Sequence, residues 1–120
     1  MKTVVVDIDE TLLKSRKICY YLRTLAKILI KLSFYFQKPN EKLIDRLNEY
    51  DNIIVLTARG ENYRSFTEKQ LKRCGVKYNR LIMCNYSDLI LAWKRQNVAA
   101  ISPNEWIDDL KDKYTDIEGI

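Results

Sequence analysis

Apolar residues in this chain come in short unbroken runs, separated by stretches where they recur every three or four positions. Val4-Val5-Val6 opens the first run, which ends abruptly at Asp7. An uninterrupted β-branched run bounded by polar residues predicts a strand covered on both faces, as in a parallel sheet. We read residues 2–8 as that strand. The signature returns at 52–57 (Asn-Ile-Ile-Val-Leu-Thr), at 80–84 (Arg-Leu-Ile-Met-Cys) and, more weakly, at 104–108 (Asn-Glu-Trp-Ile-Asp). Between these runs the period is helical. Pro39-Asn40 reads as a helix start, with Leu43, Ile44 and Leu47 on one face. Tyr63, Phe66, Gln70-Leu71 and Cys74 follow at helical spacing, and Gly75 is a natural stop. Ser87 reads as the cap of a helix carrying Leu89, Ile90, Leu91 and Trp93. Alternating strands and helices predict one α/β domain over residues 1–120, a mainly parallel sheet flanked by helices.

One segment stands outside that alternation. Over 14–38 the pattern is helical, a short insertion after the first strand. Arg16, Arg23, Lys27 and Lys31 fall in a narrow stripe with Tyr20 beside them. Ile18, Leu22, Leu25, Ala26, Leu29, Leu32 and Phe36 lie opposite, with Ile28 at their edge. Three cations inside 18–36 argue against a membrane span, which needs roughly 20 apolar residues with few charges. Three readings stay open: a packing helix over the sheet, a lid or homodimer surface through 18–36, and a helix lying on an anionic membrane. The membrane surface is the least favoured.

Charge and composition narrow the chemistry. Lys and Arg total 21 against 16 acids, a net charge of +5, which favours an anionic partner without naming one. Histidine is absent, so Ser-His-Asp and Cys-His catalysis are excluded. Cys19, Cys74 and Cys84 form no CxxC pair, which predicts reduced and mostly buried thiols in a cytoplasmic setting. The apolar start carries two acids and lacks a cleavage site, so no secretion signal is expected.

The chemistry begins where the first run stops. Asp7 and Asp9 are two carboxylates one residue apart at the carboxyl end of a buried strand, where open α/β sheets bind ligands. Two acids there repel each other and lose hydration, and a divalent cation offsets both costs. Hard oxygen ligands beside a phosphate suit Mg²⁺. Three further pieces stand at or after later strand ends: Thr57 in Leu56-Thr57-Ala58-Arg59-Gly60, Lys94, and Asp108-Asp109 after Trp106-Ile107.

In this order, DxDxT at Asp7–Thr11, then a Thr, then a Lys, then paired acids, the chain resembles the haloacid dehalogenase (HAD) superfamily of phosphotransferases. The resemblance covers nearly everything except 14–38. The run from Thr57-Ala58-Arg59-Gly60 to Leu81-Ile82 is also similar to small phosphatase domains, including the phosphatase half of phage-type polynucleotide kinases. The resemblance implies a Rossmann-like HAD fold without the usual large cap. It implies Asp7 as nucleophile, forming an aspartyl-phosphate, and Asp9 as general acid and then base. Crowding by Asp7 would raise the pKa of Asp9 to suit that task. Thr57, Lys94 and the amides of Ile8 and Ala58 would hold the phosphoryl group. Asp7, the backbone carbonyl of Asp9, Asp108 and Asp109 would form the Mg²⁺ site, with Asp109 the favoured direct ligand of the last two.

Each piece also has a plainer reading. Asp7 and Asp9 suit a solvated turn, Thr57 a helix cap, and Asp108-Asp109 an acidic tail. Lys94 suits a surface helix, and Lys69, Lys72 and Lys111 compete for its role. Arg59 is a surface residue or a substrate contact, and Tyr63 and Phe66 are core. The leading expectation is a Mg²⁺-dependent phosphomonoesterase acting on a phosphorylated small molecule. The alternatives are a nucleotide or nucleic-acid-end phosphatase and a non-catalytic binding protein of the same fold.

Overall fold

A computed structural model of the chain describes residues 1–14, 37–84 and 89–108. Four strands form an all-parallel sheet: β1 (Thr3–Val6), β4 (Asn52–Gly60), β5 (Arg80–Cys84) and β6 (Glu105–Ile107), in the spatial order β5-β4-β1-β6. Two short strands, β2 (Leu13–Lys14) and β3 (Lys38–Pro39), pair antiparallel beside it. Among the described residues three α-helices accompany them: α1 (Glu41–Arg46), α2 (Arg64–Arg73) and α3 (Ile90–Ile101). The architecture is α/β and compatible with a Rossmann-like fold.

The valines of β1 divide between two cores because successive side chains on a strand face opposite ways. Val4 and Val6 join Ile53, Val55, Leu47, Tyr50 and Leu71 on one face. Val5 joins Ile54, Leu56, Trp106 and Val98 on the other. The α1–α2 side thus closes the first face and α3 the second. Burial on both faces explains why the strands read as continuous apolar runs. At the amino end of the sheet Glu105 of β6 accepts from both Arg46 of α1 and the Tyr50 hydroxyl, tying α1 to the sheet edge.

Several boundaries differ from expectation. β1 ends at Val6 because the chain turns back on itself: Thr11 N and Leu13 N both donate to Ile8 O, with Glu10 at φ +65°. β4 runs on to Gly60, past the expected end at Thr57, through a register shift against β5 between Thr57 and Gly60. Lys14 and Lys38, the expected ends of the helical insertion, lie in β2 and β3 and pair with each other. The stretch 15–36 they enclose lies outside the described residues. So do its readings as lid, dimer surface or membrane helix, the Arg16, Arg23, Lys27 and Lys31 stripe, and Cys19. Ser87 and the acidic tail from Asp109 onward also lie outside.

Asn40 caps α1 as its position before Glu41 implies, accepting from Leu43 N at 3.4 Å. The same side chain donates to Thr11 O at 3.1 Å, so the cap also ties down the loop after β1. Tyr63 and Phe66 are half-buried, not core. α2 instead buries Thr67, Gln70 and Leu71, because a polar network sits beneath it. Cys84 is buried and Cys74 half-buried, where burial pushes the Cys74 thiol up from its ordinary pKa. No helix among the described residues is long and apolar enough to cross a membrane.

Candidate active site

Parallel register brings the acids together. Val6 of β1 lies beside Ile107 of β6, and Asp7 N donates to Ile107 O at 3.0 Å. The next residue on each strand, Asp7 and Asp108, therefore stands at the same level. Both share the parity of Val5 and Trp106, so both carboxylates face the α3 side of the sheet.

Lys94 meets them there. On α3 it occupies the stripe Leu91-Lys94-Val98-Ile101, whose apolar members pack on that face. A lysine in that stripe is carried inside, and its side chain is only 2% exposed. The ammonium lies 3.0 Å from Asp7 Oδ1 and 2.7 Å from Asp108 Oδ2. Lys69 and Lys72, its competitors, are exposed on α2, and Lys111 lies outside the described residues.

Two acids around one lysine leave an excess of negative charge. Burial pushes the Asp7 carboxyl well above its ordinary pKa of 3.8; Lys94 opposes this, and Asp108 and Asp9 reinforce it. For Lys94, burial pulls the pKa down, but Asp7 and Asp108 outweigh it and the net shift is upward. The ionised form of Asp7 is thus under-compensated where it stands.

Asp9, close enough to act on the charge of Asp7, is held by other side chains. Beyond the turn its carboxylate accepts from the Arg59 guanidinium through Nε at 3.2 Å and Nη2 at 3.0 Å, and from Gln37 Nε2 at 2.7 Å. It is paired with Arg59, and its charge still acts on Asp7. Arg59 itself is not a surface residue: its side chain is 1% exposed. The shifted register of β4 carries it to the α2 side, where Nη1 donates to Thr67 Oγ1 at 3.1 Å and Gln70 Oε1 at 2.8 Å. Sequence reasoning left Arg59 unresolved and missed Gln37, Thr67 and Gln70. Two polar residues at the inward positions of α2 were the available signal.

Thr57 is fully buried and ends the regular part of β4, opposite Met83 of β5. Its Oγ1 accepts from Arg59 N at 3.1 Å, which uses a lone pair and not the hydroxyl proton. Ala58 is half-buried in the irregular stretch that follows, and the Ile8 side chain is fully buried in the α1–α2 core.

The oxygen donors at Asp7 and Asp108 are of the kind that Mg²⁺ takes, and the excess charge on Asp7 is what a dication offsets. Among the described residues no three acidic, histidine or cysteine side chains form a ready metal cluster. Lys94 bridges the two nearest, Asp9 is held elsewhere, and Asp109 lies outside the described residues.

A separate hollow of about 630 Å³ opens at the far end of α2, lined by Lys69, Lys72, Val76, Lys77 and Tyr78. Its lysines are exposed, unlike Lys94. Compared with known proteins, the chain matches no family model and no curated protein.

Proposed function

We propose that the chain is a Mg²⁺-dependent phosphatase of the HAD type, hydrolysing a phosphomonoester through an aspartyl-phosphate on Asp7. One observation carries the reading: a buried lysine held between two carboxylates at the carboxyl edge of an all-parallel sheet, with one of those carboxylates heading a DxDxT turn.

The roles are those the resemblance implies. Asp7 Oδ attacks phosphorus, and the bond from phosphorus to the leaving oxygen breaks. Asp9 gives that oxygen a proton, then takes one from the water that cleaves the acyl phosphate and restores Asp7. Lys94 holds Asp7 in place and lowers the charge facing the incoming phosphate. The Thr57 hydroxyl donates to a phosphoryl oxygen. Asp7, Asp108 and the Asp9 carbonyl would hold Mg²⁺, with Asp109 a further candidate. Once bound, the ion would supply positive charge at Asp7 and the phosphoryl oxygens.

The test is hydrolysis of an aryl phosphate with Mg²⁺ and with a chelator, in the wild type and in Asp7→Asn. Turnover that needs Mg²⁺ and vanishes in the variant is expected. Equal turnover in both proteins would remove the nucleophile.

A further inference from the structure

A guanidinium carries five N–H donors in a fixed plane and has no acceptor. In Arg59 all five are engaged by this chain: Nε and one Nη2 proton on Asp9, the other Nη2 proton on Gln37 Oε1 at 2.9 Å, and the Nη1 pair on Thr67 and Gln70. Gln37 closes the ring by donating to the same carboxylate. Gln70 Nε2 reaches Gln37 Oε1 at 3.4 Å. The donors are used up, and the group is shielded from solvent.

We propose that Arg59 is the positioning residue for Asp9. Its planar fork grips both carboxylate oxygens and fixes the direction in which Asp9 presents a proton to the leaving oxygen. Anchors on α2 (Thr67, Gln70) and at the base of β3 (Gln37) set the plane of the fork. The inference rests on the phosphatase reading, in which Asp9 is the acid and base.

The fork is what matters, not the charge alone. A lysine here keeps a cation but has no planar fork to fix both oxygens of one carboxylate in a set direction. With all five donors engaged within the chain, Arg59 has none to offer the phosphate, so its loss acts on proton delivery and leaves substrate affinity alone.

The experiment uses a series of substituted phenyl phosphates whose leaving groups run from dinitrophenol to phenol. Wild type, Arg59→Lys and Thr67→Val are assayed with Mg²⁺, with thermal melting as a check on folding. A poor leaving group needs a proton and a good one does not. Arg59→Lys is expected to lower the single-turnover rate of phenol release, which isolates the first step, by about 10–100-fold on phenyl phosphate and only a few-fold on the dinitrophenyl ester, a part of the usual general-acid contribution. KM stays unchanged. Thr67→Val, which removes one anchor and keeps the fork, shifts the same ratio in the same direction by a smaller factor.

A loss of equal size across the series, or one expressed in KM, overturns the inference and leaves the phosphatase reading standing. If Arg59→Lys does not fold, a flat Thr67→Val series overturns it equally. A wild type that hydrolyses no member, with Mg²⁺ or without, overturns the phosphatase reading and the inference with it.

Discussion

Asp7→Asn should abolish turnover and make the protein more stable. The substitution exchanges a buried anion for a neutral amide of the same shape. At 3.0 Å the Lys94–Asp7 attraction is worth about 5 kcal/mol at an effective dielectric of 20. Burial and the neighbouring acids outweigh it, because the net shift of the Asp7 pKa is upward. Removing half of a buried pair usually costs ~3–5 kcal/mol through the charge left behind. Here Lys94 keeps Asp108 at 2.7 Å, so the ammonium is not left alone. A net gain of about 1–2 kcal/mol is expected, typical of relieving a strained functional position. For a chain of 120 residues that is roughly 4–8 °C in Tm.

The assay is calorimetric or circular-dichroism melting at neutral pH with a chelator present. The sign against pH is fixed by linkage. A carboxyl whose folded pKa is raised contributes full stability below its unfolded value of 3.8, and that contribution is lost as pH rises through the folded value. The advantage of Asp7→Asn should therefore shrink as pH falls. Added Mg²⁺ should raise the wild-type Tm more than that of the variant, through preferential binding to the folded wild type. A variant that melts at or below the wild-type temperature at neutral pH would refute the picture of an under-compensated anion.

Two other substitutions probe neighbouring parts. Lys94→Met leaves Asp7 and Asp108 side by side without their shared cation; it should lower stability by about 3–5 kcal/mol, seen in denaturant unfolding, and the loss should be smallest at acid pH. Asn40→Ala removes both the α1 cap and the tether to Thr11 O and should cost about 1–2 kcal/mol by the same measurement; a change under a few tenths would mean the cap is idle.

What could be read in the chain and what could not divide along physical lines. Val4-Val5-Val6 and Ile53-Ile54-Val55-Leu56 announced strands because burial on both faces leaves no room for polar residues. Gathering Asp7, Lys94 and Asp108 needed the register as well, which no local pattern encodes. Lys94 had a usable signal, since it replaces an apolar residue between Leu91 and Val98. Arg59 had little: its inward turn depends on a strand irregularity, and its partners come from Asp9, Gln37 and α2. Tyr63 and Phe66 misled because helical spacing shows that a face exists, not which face is turned to the sheet.

The strand order has a consequence for how the chain reaches its fold. β1 emerges first in synthesis, yet its two neighbours are β4, paired from Thr3 to Asn52, and β6, paired from Val4 to Glu105. Both ladders close long loops, whose entropy must be met before any pairing rewards it. A nascent β1 therefore waits for β4 with both edges open and then for β6 with one, an aggregation-prone interval that ends once Trp106 has left the ribosome.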